Sequence, residues 1–287
     1  MLTTLASLLE AAERGNYAVI APDFPNLYAA RILLEQAEVH RAPLILSYAT
    51  IFKPMRDVQR YDRFIEIVRR EAEQVTVPVA LHLDHATRVE DIVEAIDVGF
   101  TSVMIDASAE PYERNLEQSR RAADLARPAG VSVEAELGRV GSDADYLAAG
   151  STEPLLTDVD EAAAFATATG IDALAIAIGT VHGVYSGEPK IDYGRLEALH
   201  RRLTIPLVLH GSSGLGEERI QRCISLGIRK INVFTDLTRS MLEEGYQELG
   251  RQRSNPIKAA AAQASGLRRV IDEYLRISGS VGAAPVA

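Results

Sequence analysis

Three histidines have the residue type and the placement to bind a catalytic metal ion together. His85 follows the apolar run PVALHLD, His182 comes shortly after DALAIAI, and His210 ends IPLVLH. Imidazole nitrogens are good zinc ligands, and three protein ligands leave one position open for a substrate oxygen. For any one of these histidines a hydrogen-bonded structural role is the commoner outcome. If the three runs end at one place in the fold, the metal interpretation is favoured.

Four acidic residues lie within or at the end of similar apolar runs. They are Asp84, Asp106, Glu134 and Glu136. A buried carboxylate must meet a cation, an arginine or water, because removing an isolated charge from water is very unfavourable. A metal role and an ion pair with Arg139 or Lys230 are equally open for each acid taken singly. His82, which alternates with Asp84, is expected to be structural.

Small and polar residues suggest a phosphate site. GTVHG (179–183) and HGSSG (210–214) each follow an apolar run, and NVFTD (232–236) precedes a helix predicted to begin near Asp236. Exposed backbone amides and a helix N-terminus both bind anions. Any one of these segments alone is a weak signal, but together they favour phosphate binding.

Eight short runs rich in apolar and β-branched residues predict the strands that position these groups. The predicted strands cover 17–21, 43–47, 78–84, 101–106, 131–136, 172–178, 205–210 and 230–234. Segments with apolar residues three and four apart lie between them and predict helices. Glycines end four of these helices just before the next strand, at positions 99, 130, 170 and 227.

This alternation predicts an α/β protein with a (β/α)8 TIM barrel, in which functional side chains gather at the C-terminal ends of the strands. A doubly wound open sheet is the main alternative, but its glycine-rich first turn is missing. We expect a single domain over 1–287, with the barrel at about 16–250 and an extra N-terminal helix over 3–14. A C-terminal helix and tail would occupy 255–287, with the last nine residues frayed.

The composition favours a globular protein with a small-molecule partner. The 287 residues are 47% apolar, and 30 Lys and Arg against 40 Asp and Glu give a net charge of −10. The sequence has no basic stripe with interleaved aromatics and no apolar run of about 18 residues. We therefore expect neither nucleic-acid nor membrane binding. The single Cys223 and the charged N-terminal segment favour the cytoplasm.

Six segments closely resemble the class II, metal-dependent ketose-bisphosphate aldolases, especially the tagatose-bisphosphate type. They are ALHLDH (80–85), GFTSVMIDAS (99–108), GVSVEAELGRVG (130–141), AIAIGTVHGVYSGEPKID (175–192), IPLVLHGSSG (205–214) and KINVFTDL (230–237). The resemblance implies a lyase that reversibly cleaves a phosphorylated ketose into dihydroxyacetone phosphate and an aldehyde. It also implies a homodimer or homotetramer.

The resemblance implies specific roles for the residues above. It assigns Zn²⁺ to three ligands, His85, His182 and His210. Asp84 would act as acid and base on the hydroxyl at the cleaved bond, and Asp106 and Glu136 match positions that hold a second cation or relocated zinc in some members. The substrate phosphate would contact Gly183, Gly211, Ser212, Ser213, Asn232, Val233, Phe234 and Thr235.

The sequence departs from the family pattern on a long loop after the fifth strand. Ala144 stands where the family usually has the glutamate that moves the C3 proton. Asp143 or Asp145 would replace that glutamate as the catalytic acid and base.

Further departures concern the aldehyde half of the substrate. A family Phe-Asn pair becomes Pro22-Asp23, the bulky Phe234 replaces a small or acidic residue, and Ala261 aligns with a base for the second phosphate. We therefore expect the dihydroxyacetone phosphate half to be kept, with an aldehyde that differs from glyceraldehyde 3-phosphate. The alternatives are a metal-dependent sugar-phosphate epimerase and a non-catalytic sugar-phosphate binding or accessory subunit.

Overall fold

Strands and helices alternate through the computed structural model, which describes residues 1–141, 155–251 and 255–285. The strands are β1 (Val19–Pro22), β2 (Leu44–Ala49), β3 (Val79–Ala86), β4 (Ser102–Ile105), β5 (Ser132–Leu137), β6 (Ala173–Ile176), β7 (Leu207–Leu209) and β8 (Ile228–Val233). The helices are α1 (Leu5–Gly15), α2 (Leu27–His40), α3 (Arg56–Gln59), α4 (Tyr61–Gln74), α5 (Val89–Val98), α6 (Tyr112–Ala126), α7 (Val159–Thr169), α8 (Tyr193–Arg202), α9 (Glu217–Ser225), α10 (Thr235–Arg251) and α11 (Pro256–Ile277). Two 3₁₀ helices cover Thr50–Met55 and Arg127–Ala129.

The eight strands form a nearly closed parallel barrel in the order β1-β8-β7-β6-β5-β4-β3-β2. The two ends of that order, β1 and β2, meet at a bridge between Asp23 and Ser47. There the Phe24 N–H donates to the Ser47 carbonyl over 2.9 Å. Each predicted strand lies within two residues of an observed one at both ends. The predicted (β/α)8 TIM barrel is therefore confirmed.

Side chains on the strands alternate between two apolar cores. On β2, Leu44 and Leu46 pack in the cluster shared with the outer helices, whereas Ile45 packs in a separate inner cluster. The inner cluster also contains Leu5 and Leu8 of α1, so this helix packs against one end of the barrel interior. Because side chains on a strand alternate with period two, the inner face can carry polar groups while the outer face stays apolar.

Local sequence signals fix several helix ends as predicted. Asp158 is the N-cap of α7, and its carboxylate accepts hydrogen bonds from the N–H groups of Asp160 and Glu161. Gly99 and Gly170 end α5 and α7 in the left-handed conformation, with φ of 98° and 66°. Glycine adopts this conformation without the steric cost of a Cβ atom.

The expectation of a frayed C-terminal tail is wrong for residues 279–285. The Gly282 N–H donates to the His40 carbonyl and the Ala284 N–H to the Arg41 carbonyl, both over 2.9 Å. Ser280 and Ala284 are buried. Backbone pairing with the end of α2 therefore holds this segment, a tertiary contact that its small-residue composition does not reveal.

None of the helices in the described ranges is long and apolar enough to cross a membrane.

Candidate active site

A cavity of about 750 Å³ lies among residues at the C-terminal ends of the strands. It brings together most of the predicted site residues, namely Asp84, His85, Asp106, His182, Gly183, Gly211, Ser212, Ser213, Asn232, Phe234 and Thr235. His210 and Glu136 are buried and do not line it. Val233 does not line it either, because its side chain packs in the outer core. Ala261 is exposed on α11 and is likewise not part of the cavity wall.

Three imidazole rings converge at this cavity: those of His85 and His182 line it, and that of His210 is buried next to them. The ring centroids of His85 and His210 are 4.7 Å apart, those of His85 and His182 are 5.1 Å apart, and those of His182 and His210 are 5.7 Å apart. One nitrogen from each ring lies within 4.8 Å of the other two. Their residues come from β3, from the segment after β6 and from the end of β7, as the sequence predicts. This arrangement could hold one divalent metal ion.

His85 has an unusual backbone conformation for its residue type. Its φ is +52°, in the left-handed region, and the pairing of β3 with β4 shifts register between Leu83 and Ala86. The Thr50 hydroxyl donates to the His85 carbonyl over 2.6 Å. A non-glycine residue in this region is strained, and such strain concentrates at functional sites because the surrounding structure must hold it. The bulge therefore turns His85 toward the other two histidines.

Carboxylates orient two of the three rings. His85 Nδ1 lies 2.8 Å from Asp106 Oδ2, and His210 Nε2 lies 3.0 Å from Glu134 Oε1. The remaining nitrogens, His85 Nε2 and His210 Nδ1, lie 3.0 Å apart. A carboxylate on the far nitrogen fixes the tautomer of a metal-binding histidine and raises its basicity. Both free nitrogens thus face the same point.

A buried ionic network lies beside the histidines. Lys230 Nζ donates to Glu134 Oε2 over 2.7 Å and lies 3.9 Å from Asp84 Oδ1. Lys230 and Glu134 are fully buried. The alternative of an ion pair with Lys230 therefore holds for Glu134. His82 is also fully buried and shares a 2.7 Å hydrogen bond with the Ser102 hydroxyl, as expected of a structural residue.

Asp84 is held in place at the edge of the cavity. The Asn232 side-chain amide donates to both of its carboxylate oxygens over 3.0 Å. Burial opposes ionisation of Asp84, but the charges and hydrogen bonds of His85, His82 and Lys230 outweigh burial and hold its pKa well below the usual value. Asp84 is therefore ionised near neutral pH and can accept a proton.

The histidines have different proton affinities. Burial disfavours the charged form of His85, but the carboxylates of Asp84 and Asp106 outweigh burial and raise its pKa to about 10. Burial and the other two rings lower the pKa of His182 to about 3. Burial also lowers the pKa of His210. Two of the three rings are thus neutral near pH 7, the form that binds metal.

Asp106 and Glu136 form a second group of candidate ligands with His85, with one atom of each within 4.8 Å of the others. Burial and the Asp106 charge raise the pKa of Glu136 to about 8. Its Oε1 atom accepts the Val140 N–H over 2.9 Å. The family resemblance predicts a second cation at Asp106 and Glu136, and this group shares His85 with the first.

Glycines, serines and a helix end form a cradle at the place where the sequence predicts phosphate binding. Gly211 has φ of +68°, and a Cβ atom there would lie 2.4 Å from the Val181 carbonyl oxygen. The Ser212 hydroxyl donates to the Asn232 carbonyl, and the Asp236 N–H donates to the Ser213 hydroxyl over 3.1 Å. The first-turn N–H groups of α10, which starts at Thr235, have no acceptor within their own helix. They carry partial positive charge that suits a phosphate.

Sequence reasoning gave no site role to Lys53 or Tyr274, and it named Arg139 only as a possible ion-pair partner of the acids. Lys53 and Arg139 line the cavity, and Lys53 Nζ donates to Asp91 Oδ2 over 2.6 Å. Tyr274 of α11 donates to Asp236 Oδ2 over 2.7 Å, and this carboxylate also accepts the Gly214 N–H over 3.2 Å. The position of Lys53 just after β2 is a signal that could have been used. Tyr274 gave no local signal, because it is about forty residues from Asp236 in the sequence.

The loop acids predicted to act in catalysis, Asp143 and Asp145, lie outside the described residues, as does Ala144. Their proposed role remains a prediction.

Three solved structures are similar to this chain over nearly its whole length. The YdjI aldolase from Escherichia coli K12 has a TM-score of 0.87 and 31% identity, with 99% of this chain and 100% of that chain covered. A protein from Coccidioides immitis, provisionally identified as a fructose-1,6-biphosphate aldolase, has a TM-score of 0.84 and 29% identity, covering 97% and 96%. The fructose-bisphosphate aldolase (Fba) from Campylobacter jejuni has a TM-score of 0.83 and 20% identity, covering 98% and 97%, and so shows the common fold.

The family model for class-II fructose-bisphosphate aldolases matches residues 3–283. This match includes all the described residues that converge on the cavity, and it agrees with the whole-length similarity to the YdjI aldolase. The predicted resemblance is confirmed at the level of the family, and the chain belongs to the class-II fructose-bisphosphate aldolases.

Proposed function

We propose that this protein is a zinc-dependent aldolase that reversibly cleaves a phosphorylated ketose to dihydroxyacetone phosphate and an aldehyde. The observation that carries the proposal is the convergence of three imidazoles, with ring centroids 4.7–5.7 Å apart. The aldehyde is proposed to differ from glyceraldehyde 3-phosphate. The family resemblance also leads us to propose a cytoplasmic homodimer or homotetramer.

The donor set fits a zinc ion. Three imidazole nitrogens within 4.8 Å of one another, two of them on rings held by Asp106 and Glu134, match a catalytic zinc site with an open position. When bound, zinc supplies Lewis-acid stabilisation of negative charge on a substrate oxygen.

Asp84 is proposed to move the proton of the hydroxyl at the cleaved bond. It lines the cavity, is ionised because of His85, His82 and Lys230, and is oriented by Asn232. In cleavage the carboxylate accepts the hydroxyl proton, and in condensation it returns that proton to the new hydroxyl. Asp143 or Asp145 is proposed to exchange the C3 proton.

The cradle at Gly211, Ser212, Ser213 and the start of α10 is proposed to bind the substrate phosphate. Its donors are backbone amides, the Ser213 hydroxyl and a helix N-terminus, since the Ser212 hydroxyl already donates to the Asn232 carbonyl. The phosphate is remote from the carbons that react. Its binding would hold the keto group of the substrate beside the histidines, so that the binding energy of the phosphate contributes to orienting the substrate.

The proposal is tested by incubating zinc-loaded protein with dihydroxyacetone phosphate and a panel of aldehydes, then identifying the condensation products. We expect ketose phosphates to form, a chelator to abolish their formation and added zinc to restore it. Asp84→Asn should lower kcat by at least about a hundredfold while leaving zinc content unchanged. Condensation that continues at full rate in the chelated protein would contradict the metal mechanism.

A further inference from the structure

A buried acid at the end of β1 has no part in the reaction described so far. Asp23 is 7% exposed and lines the cavity. Its Oδ1 atom is buried and has no hydrogen-bond partner among the described residues. A buried polar atom without a partner is unfavourable, and at the wall of a cavity it indicates a ligand that supplies the missing contact.

The backbone holds Asp23 firmly. Its N–H donates to the Val233 carbonyl over 3.2 Å, and it pairs in parallel register with Ser47 of β2. Ser47 in turn pairs with His82, two residues before Asp84 on β3. Asp23 and Asp84 thus lie at the ends of β1 and β3, on either side of β2, and both line the cavity. A contact made by Asp23 would fall next to the hydroxyl at the cleaved bond.

The electrostatic surroundings agree with this proximity. Burial and the charge of Asp84 raise the pKa of Asp23 to about 8, against weaker opposing effects of Ser47, His85 and Lys230. Asp23 is then mostly protonated at neutral pH, and a second anionic group on the substrate would be repelled by the ionised Asp84 beside it. A hydroxyl is accepted, since it can donate to a carboxylate or accept from a carboxylic acid.

Asn232 adds a second acceptor nearby. Its amide nitrogen is occupied by the two oxygens of Asp84, while its Oδ1 atom is buried without a partner in the described part of the chain. Asp23 and Asn232 belong to adjacent strands, since Ala21 of β1 pairs with Asn232 of β8. Two unpartnered acceptors on this wall fit a ligand with more than one hydroxyl group.

Building on the aldolase function proposed above, we propose that Asp23 is the specificity-determining residue for the aldehyde half of the substrate. Its carboxyl group hydrogen-bonds the hydroxyl on the carbon next to the aldehyde carbon. The preferred partner of dihydroxyacetone phosphate is therefore an uncharged 2-hydroxyaldehyde.

Two aldehydes that differ by one hydroxyl test this proposal. Zinc-loaded wild type, Asp23→Asn and Asp23→Ala are assayed for condensation of dihydroxyacetone phosphate with glycolaldehyde and with acetaldehyde. We expect the ratio of kcat/KM for glycolaldehyde to that for acetaldehyde to fall at least about tenfold in Asp23→Ala, because the hydroxyl loses its partner. Asp23→Asn, which keeps a polar group, should give an intermediate ratio. The KM for dihydroxyacetone phosphate should stay within about twofold of wild type.

The control is Asp97→Asn on the exposed side of α5, which makes the same change of charge outside the cavity and should leave the ratio unchanged. Circular dichroism and thermal melting establish that the variants are folded. A wild type that prefers acetaldehyde, or folded Asp23 variants with the wild-type ratio, would overturn the role of Asp23 while leaving the aldolase function intact. Absence of condensation with every aldehyde would overturn both proposals.

Discussion

Lys230 compensates the charge of an acid that supports a candidate metal ligand. It pairs with Glu134, and the other Glu134 oxygen lies against the His210 ring. All three side chains are fully buried. Removing a single partner from such a group leaves a buried charge without compensation, which is much more unfavourable than the net contribution of the intact pair.

We therefore expect Lys230→Met to lower the free energy of unfolding by about 3–5 kcal/mol, because Glu134 loses its cation. The measurement is chemical denaturation of purified wild type and variant. Lys258→Met is the control, since Lys258 is exposed near the start of α11 and should change stability by less than about 0.5 kcal/mol. Equal losses in the two variants would show that the buried pair is unimportant.

Asp23 should give the protein a specific pH dependence of stability. Its folded-state pKa is about 8, raised by burial and by Asp84, so the folded protein keeps a proton that the unfolded chain releases above about pH 4. The stability from this proton is complete below about pH 4 and is lost as the pH rises to about 8. The slope is at most about 1.4 kcal/mol per pH unit.

Compared with wild type, Asp23→Asn should therefore become progressively more stable between about pH 4 and about pH 8, with a constant difference above that range. Urea unfolding at several pH values measures the difference, in which other titrating groups largely cancel. Parallel stability curves for the two proteins would mean that Asp23 has an ordinary pKa.

Sequence alone predicted which histidines meet, because residues at the C-terminal ends of barrel strands must converge. It could not decide which carboxylate supports which ring. Glu134 and Glu136 lie on the same face of β5, and the three-dimensional register decides that Glu134 reaches Lys230 while Glu136 lies with Asp106. The left-handed backbone of His85 was also not predictable, since it depends on a bulge that its neighbours impose.

The strands were predictable because each is a short apolar run bounded by a glycine or a polar turn. The 3₁₀ helix at Thr50–Met55 and the docked segment after α11 were not, because both depend on tertiary contacts. Helix α11 also contacts the cradle at the start of α10 through Tyr274. Its Tyr274 reaches Asp236, which contacts the backbone of Gly214 and the side chain of Ser213.

Removal of the Tyr274 hydroxyl should loosen the phosphate cradle. We expect Tyr274→Phe to raise the KM for the phosphorylated substrate about three- to tenfold, as loss of one hydrogen bond would, with kcat within about twofold of wild type. Isothermal titration with dihydroxyacetone phosphate would measure the same loss directly. A variant with unchanged affinity, or with a reduced kcat alone, would contradict this positioning role.

The histidine cluster brings together three distant parts of the chain, namely β3, the segment after β6 and the end of β7. A ligand that binds the folded state alone stabilises it by mass action, by about 2.7 kcal/mol when its concentration is a hundred times the Kd. A metal bound at this cluster should therefore be detectable as stability of the entire barrel.

Zinc added to chelator-treated protein at about a hundred times its Kd should raise Tm by about 5–10 °C. A stabilisation of about 2.7 kcal/mol implies a shift of this size for a chain of this length. Differential scanning calorimetry measures the shift. His182→Ala should largely abolish it, whereas His40→Gln on α2 should retain it because His40 lies outside the cluster. The same shift in both variants would place zinc binding elsewhere.

The border between β1 and β2 has the least backbone pairing of any strand border in the barrel. Seven strand pairs are joined by ladders, whereas these two strands meet in the described structure at the bridge between Asp23 and Ser47. Local opening of the barrel should therefore begin here, and deuterium should enter the backbone amides of Val19, Ile20 and Ala21 sooner than those of the strand Ser132–Leu137. A sugar whose hydroxyl is bound by Asp23 should stabilise this border. Its binding should therefore slow deuterium uptake by the amides of β1.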